Sequence, residues 1–277
     1  MIASGEIREL AIAQGVRQET IEKDYVLGWI LAGLYNIEST GNWIFKGGTA
    51  LKKCYFHNYR FSEDLDFSLK DHVFLEEDAL HLTLSRMAEW VYDNSGIEIS
   101  KKRSIVEIFE NRNKRQVAQI RVYYHGPVSP SAASQWARIK FDLTTGEVLT
   151  DEPILANIYH PYSDTNNALF KTRCYSFTEI FAEKLRALVE RTRPRDVYDS
   201  VKCYDSKISD FDKVKEHFLL KMAGKSLQMP DTITLLTQIK NSREFWTEQL
   251  AHQISSLENF EEFEGKIMII LDKLIAS

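Results

Sequence analysis

The chain has 277 residues, of which 44% are hydrophobic and 27% charged, with 12 glycines and six prolines. Collagen-like and linker-dominated chains are excluded, and the length suits one large domain or two modest ones. A net charge of −5 at pH 7 argues against a chain that simply coats nucleic acid, but leaves room for a local basic groove.

In chain order, residues 5–14 and 18–36 read as helices, the second from the near-helical recurrence of Ile21, Tyr25, Val26, Trp29, Ile30 and Leu34. A short strand, Trp43 to Phe45, runs into Lys46-Gly47-Gly48-Thr49, and a short helix follows over 49–57. Asp64 to Leu69 alternates charged or small with apolar residues, the mark of a half-buried strand. A helix is expected over 76–94, then strands over 97–110, 116–124 and 137–143, with turn chemistry at 126–131. From about residue 176 the pattern becomes helical. Ser176 caps the first helix, with Glu179 as reciprocal capping-box partner, and Pro194 opens the next. Helices at about 210–222, 231–252 and 257–275 complete the chain. The expected division is a mixed α/β part over 1–175 and a helical part over 176–277.

No apolar run approaches the roughly 20 residues that span a bilayer. Glu6, Arg8 and Glu9 stand where a signal peptide would need an apolar core. Cys54, Cys174 and Cys203 are widely spaced and form no zinc pattern. These features lead us to expect a cytoplasmic protein with no membrane contact. Charge is segregated. Residues 61–80 carry a local net charge of −6, residues 101–125 of +5 and residues 171–195 of +4. Acids followed by two basic stretches are what a metal site facing a polyanion needs, and equally what solvated helix and hairpin surfaces present.

Three segments could carry chemistry. The Gly47-Gly48-Thr49 turn at the start of a helix lets backbone N–H groups approach an anion, and Thr49 adds a hydroxyl. Asp64 and Asp66, two apart on a strand, share a face and repel unless a cation lies between them. Oxygen ligands of this kind suit Mg²⁺ or Mn²⁺. Each piece alone is read as well as a plain turn or a solvated edge strand; in this order, they point to a nucleoside triphosphate and phosphoryl or nucleotidyl transfer. Asp142, in Ile139-Lys140-Phe141-Asp142-Leu143, is a candidate third metal carboxylate or general base, or else one half of a solvent-facing Lys140/Asp142 pair. In 179–199, Lys184 lies on a core-facing helix with Arg191 on the same face, and Asp196 and Asp199 follow on the next. These could reach a phosphate or form surface ion pairs.

Together, Ile21-Glu-Lys-Asp-Tyr-Val-Leu27, Phe45-Lys-Gly-Gly-Thr-Ala-Leu51, Arg60-Phe-Ser-Glu-Asp-Leu-Asp-Phe67, Glu183-Lys-Leu-Arg-Ala-Leu188 and Arg195-Asp-Val-Tyr-Asp199 resemble the AbiEii/AbiGii family of nucleotidyltransferase-like toxins. The resemblance spans residues 21–199. It implies an α+β fold: a polymerase-β-like nucleotidyltransferase core, a mixed sheet with flanking helices, plus a C-terminal helical region that contributes Lys184 and Asp196 to the cleft. By match, Gly47, Gly48 and Thr49 fall on the phosphate turn, and Asp64 and Asp66 on the metal pair. Lys184 matches the lysine facing the nucleotide and Asp196 the later essential acid, while Asp142 rests on strand context. Gly48 and Asp64 are farther apart than in the usual superfamily pattern, and Thr49 replaces its serine.

The resemblance further implies a toxin of a toxin–antitoxin or phage-defence pair, with a cognate antitoxin as partner. The activity expected is Mg²⁺-dependent (or Mn²⁺-dependent) transfer of an NMP from an NTP to an RNA acceptor, the tRNA 3′ end, blocking translation. The basic segments 101–125 and 171–195 would receive RNA, with Tyr123, Tyr124 and Trp136 available for stacking. The alternatives are nucleotidylation of a protein hydroxyl, a non-catalytic binding protein of the same fold, and a small-molecule nucleotidyltransferase.

Overall fold

The computed structural model describes residues 1–70, 75–111, 114–165 and 170–275. Asp71 and Arg112, counted in the acidic and basic stretches above, lie outside these. The chain divides into two compact units: Met1–Glu147 with Pro153–Cys174, and Val148–Glu152 with Tyr175–Ser277.

The first unit begins with helices α1 (Ser4–Ala13) and α2 (Gln18–Tyr35). Strand β1 (Trp43–Lys46) passes directly into α3 (Gly47–Ala50), which relaxes into a π turn at Leu51–Tyr55. Strand β2 (Asp64–Leu69) and helix α4 (Glu77–Ser95) follow. The strand expected over 97–110 is two strands, β3 (Glu98–Ile99) and β4 (Ile105–Glu110), separated by a 3₁₀ turn at Lys101–Arg103. Then come β5 (Gln116–His125), β6 (Ala137–Thr145), β7 (Ile154–Asn157) and β8 (Lys171–Cys174). The last two were not anticipated, because four-residue strands such as Lys-Thr-Arg-Cys carry little apolar alternation.

Among the described residues, the eight strands form one mixed sheet in the order β3-β5-β6-β2-β1-β8-β7, with β4 also paired to β5. β2 runs parallel to β6 and antiparallel to β1, and β1 runs parallel to β8. Odd-numbered residues of β1, β2 and β6 point into the core. Phe45 lies 5.4 Å from Phe67, and Phe67 lies 6.5 Å from Phe141, ring centroid to ring centroid. Leu65, Ile139, Phe141 and Leu143 are fully buried. Each such side chain stabilises the fold by about 1.5–3 kcal/mol. A one-residue slip of β2 would put Asp64 and Asp66 where Leu65 and Phe67 sit, so the core itself holds the carboxylates on the other face. Helix α2 is buried on most of its circumference and packs on α1, α4 and β8.

The second unit is helical: α5 (Phe177–Arg191), α6 (Pro194–Ser206), α7 (Phe211–Gly224), α8 (Thr232–Ser242), α9 (Trp246–Leu250) and α10 (Phe260–Ile275). The helix expected over 231–252 is interrupted by a 3₁₀ turn at Arg243–Phe245. Trp246 docks on Phe263 at 4.9 Å, and Phe263 stacks on Tyr198 at 5.3 Å. The Ser176 hydroxyl accepts the Glu179 N–H as expected, but the reciprocal half of the box is absent. The buried Glu179 carboxylate instead accepts from Thr150 N (2.9 Å) and Lys221 Nζ (2.8 Å). Among the described residues, no helix is long and apolar enough to cross a membrane.

Candidate active site

The sheet face opposite the core brings the first-unit candidates together. Asp66 is the register partner of Asp142 on the neighbouring parallel strand and of Lys46 on the antiparallel one. Asp64, one pleat away on the same face, is paired with Lys140. Asp64, Asp66 and Asp142 are each partly accessible, whereas Leu65, Phe67, Phe141 and Leu143 are buried. The alternation read from the sequence therefore places three carboxylates on one patch of sheet.

The Gly47 turn abuts this patch. Gly47 has φ +80°, and a Cβ there would stand 2.3 Å from Asp66 Oδ2. Only glycine accepts both the left-handed backbone and the close carboxylate. A Cβ on Gly48 would stand 2.7 Å from Arg60 Nη2 and 3.1 Å from Ser62 Oγ. The Thr49 hydroxyl donates to the Asp64 carbonyl at 2.5 Å. Its proton thus ties the turn to β2 instead of pointing to an anion. Arg60 and Ser62, which the chemical reading of the sequence left without a role, lie against the glycine turn. Lys46 and Glu147 were also missed. Lys46 Nζ lies 2.5 Å from Glu147 Oε2, which also accepts from Ser68. Lys46 could have been found as the even-numbered residue of β1 in line with Asp66.

Burial holds the Asp64 carboxyl above its usual range, opposed by Lys140 and Lys23 and reinforced by Asp142 and Glu63. Lys140 Nζ lies 2.7 Å from Asp142 Oδ2. Among the described residues, no three His, Cys, Asp or Glu side chains are gathered as a ready-made metal cage. Two strand carboxylates completed by substrate phosphate oxygens and water are a sufficient donor set for Mg²⁺. The residues present fit such an ion, and the raised Asp64 is the group that its charge would favour in ionised form.

The same face continues outward along β5 and β6. Gln119 pairs with Asp142, Arg121 with Lys140, and Tyr123 with Arg138. Arg121 is also ion-paired to Glu107 at 3.0 Å, and the Arg103 guanidinium lies 4.1 Å over the Tyr123 ring. Tyr124, by contrast, is 1% exposed on the core face and is not available to stack on a ligand. The alternation of β5 separates the two neighbouring tyrosines.

In the second unit, Lys184 Nζ lies 2.8 Å from the fully buried Asp199. Asp196, also fully buried, accepts from Arg191 Nε and Nη2, both at 2.9 Å, and from Arg193 N at 3.2 Å. Asp196 therefore caps α6 and anchors Arg191. Much of the basic stretch 171–195 is engaged in this way. Arg186 is buried against Glu190 and Glu183, so the stretch is not the open cationic surface that its charge suggested.

The family described as "Nucleotidyl transferase AbiEii toxin, Type IV TA system" matches residues 29–266. The chain belongs to the AbiEii nucleotidyltransferase toxin family. The family match runs well past residue 199, through the helices in which no motif was recognised. The fold is similar to that of MenT4, a nucleotidyltransferase toxin from Mycobacterium tuberculosis H37Rv. That likeness has a TM-score of 0.55 and 19% identity, and covers 98% of this chain and 99% of that one. A search of curated protein sequences gives no match. As an AbiEii nucleotidyltransferase the protein uses an NTP as substrate, and as a type IV toxin it implies an antitoxin partner.

Proposed function

We propose that this AbiEii toxin transfers an NMP from an NTP to an RNA 3′ end, that of tRNA, and thereby blocks translation, in the cytoplasm and as part of a phage-defence pair. The observation that carries the reading is the register of Asp66 with Asp142, with Asp64 one pleat away and Gly47 against Asp66. In the reaction the acceptor 3′-hydroxyl attacks the α-phosphorus. A new P–O bond forms as the bond to the bridging oxygen breaks, and pyrophosphate leaves. Asp142 is assigned as the base that takes the hydroxyl proton, from its place beside Asp66 on the neighbouring strand. Asp64 and Asp66, with Asp142 at the edge, would hold Mg²⁺ or Mn²⁺. When bound, the ion neutralises phosphate charge and polarises the reacting phosphoryl group.

Gly47 and Gly48 are assigned to the triphosphate through their N–H groups, and Thr49 to the tie that holds that turn on β2. Lys184 is assigned to the nucleotide on the family resemblance; Asp196, which the resemblance matches to a later essential acid, is assigned to the support of Arg191 on its hydrogen bonds. RNA as acceptor is favoured by the cationic and aromatic row Arg103, Tyr123, Arg138 and Arg121, which shares the sheet face of the carboxylates. The test is incubation of the pure protein with Mg²⁺, each labelled NTP and total bacterial RNA plus protein extract, beside an Asp64→Ala/Asp66→Ala variant. Label in a tRNA-sized band, lost in the variant, is the expected result. Label in a protein band instead would make a protein hydroxyl the acceptor and overturn the RNA reading.

A further inference from the structure

The segment Ile21–Leu27 carries part of the family resemblance, yet beyond the charge of Lys23 acting on Asp64 the site described above makes no use of its residues. It lies in α2, whose buried residues face almost every direction. Three consecutive charged residues, Glu22, Lys23 and Asp24, interrupt this apolar helix. Glu22 and Asp24 are 3% and 4% exposed. Burying charge in such a helix is unfavourable unless each charge is met, and apolar residues would serve packing as well.

Each of the three is met by a different segment. The Glu22 carboxylate accepts from Val128 N (2.7 Å) and Ser129 Oγ (3.1 Å) in the β5–β6 connection. A Cβ on Gly126 would stand 2.7 Å from Glu22 Oε1, so that connection also needs its glycine. Lys23 Nζ donates to Glu63 at 2.6 Å, one residue before Asp64. Asp24 Oδ2 accepts from Lys53 Nζ at 2.6 Å and from the Tyr162 hydroxyl at 2.8 Å. Lys53 is 1% exposed and lies in the π turn that continues the Gly47–Ala50 helix. Successive helical residues diverge by about 100°. A single turn of α2 can thus hold three separate segments in one frame.

We propose that Glu22, Lys23 and Asp24 are positioning residues for nucleotidyl transfer. Asp24 through Lys53 holds the phosphate-turn helix, Lys23 through Glu63 holds the entry to the Asp64 strand, and Glu22 holds the β5–β6 connection at the end of the acceptor face. The inference rests on the assignment of Gly47–Thr49 and Asp64/Asp66 to the NTP. It explains why charges occupy a helix that packing alone would make apolar. A loop displaced by about 1 Å is enough to cost roughly 10²-fold in rate.

The test uses the full-length chain and reads the KM for NTP, kcat for labelled NMP transfer, and the Kd for NTP from equilibrium dialysis. Asp24→Asn and Lys53→Met are expected to raise both the KM and the Kd for NTP at least about tenfold, with kcat changed far less. The double variant Asp24→Asn/Lys53→Met leaves neither half of that ion pair without the other and should fold where a single variant does not. Lys23→Met, at a partly exposed pair, is expected to lower kcat with the Kd for NTP unchanged, and Lys23→Arg to restore it. Glu22→Ala should lower kcat for the RNA acceptor, and Glu22→Gln, which keeps the Oε1 acceptor, should retain it. A folded Asp24→Asn/Lys53→Met with wild-type Kd and KM would overturn the proposal. So would losses that affect all parameters alike and merely follow the loss of folded protein. A wild type that binds NTP without transferring it would refute the transfer reading, while the Kd series still decides the Asp24–Lys53 link. A wild type that binds no NTP would overturn both.

Discussion

Gly47→Ala should lower the transfer rate by about 10²-fold in a protein that still folds. The new Cβ would start 2.3 Å from Asp66 Oδ2, against the 3.0 Å that real Cβ contacts respect, so the carboxylate must retreat by about 0.7 Å or more. The backbone at φ +80° adds strain for any residue with a side chain, about 1–3 kcal/mol. Against a total stability of roughly 5–15 kcal/mol this leaves a folded majority. Displacement of a carboxylate by nearly 1 Å predicts a loss on the order of 10²-fold in transfer rate. Gly48→Ala is the comparison. Its Cβ meets the movable ends of Arg60 and Ser62, and its φ is not positive. It should therefore cost less stability, and any effect on NTP should enter through Arg60. The assays are NMP transfer from labelled NTP and a thermal melt by circular dichroism. A Gly47→Ala protein with wild-type transfer would refute the argument that this turn and Asp66 form one site.

Other consequences follow from the same geometry. Asp142→Ala breaks an ion pair whose partners are 25% and 35% exposed, so its stability cost should stay within about 1 kcal/mol. The transfer rate should nevertheless fall by roughly 10²–10⁴-fold, the range of a general base; equal activity would remove Asp142 from the site. In the helical unit, Arg191→Ala removes both side-chain donors from a fully buried Asp196, which retains the Arg193 N–H, and should destabilise by about 1.5–3 kcal/mol. Asp196→Ala leaves a partly exposed arginine that water can solvate, with a lost cap worth about 1–2 kcal/mol. The reverse order in a denaturant titration would contradict the reading of Asp196 as the anchor. Burial raises the Glu22 carboxyl above its ordinary 4.5, against hydrogen bonds from Val128 and Ser129. Its protonated form is thus the one the fold prefers. That contribution is full below the ordinary value and is lost as pH rises through the raised one. Glu22→Gln should therefore gain on wild type as pH rises above that ordinary value, and a pH-independent difference would be the refuting result.

The sequence made the β2 and β6 faces legible because both strands are half buried. Period-2 alternation alone separates Asp64, Asp66 and Asp142 from Leu65, Phe67, Phe141 and Leu143. Cross-strand register was not legible. That Asp66 stands beside Asp142, and Asp64 beside Lys140, depends on a parallel β2–β6 pairing between segments about 75 residues apart, which no local pattern encodes. β7 and β8 escaped for the opposite reason, being too short to show a period. Charge counting misled at 171–195, where Lys184, Arg186 and Arg191 are spent on Asp199, Glu190 and Asp196. A formal charge sum cannot distinguish an engaged guanidinium from an open one. The Glu22-Lys23-Asp24 turn was visible as a motif, but its partners at residues 53, 63 and 128 lie too far along the chain to be named from spacing.

The most direct test is to supply one NTP labelled in turn on its α- and γ-phosphates, with Mg²⁺ and tRNA, to wild type and to Asp66→Asn. Nucleotidyl transfer at the carboxylate face predicts that the α-label enters the RNA, that the γ-label leaves as pyrophosphate, and that Asp66→Asn does neither. Entry of the γ-label into the acceptor, or α-label transfer undiminished in Asp66→Asn, would contradict the account.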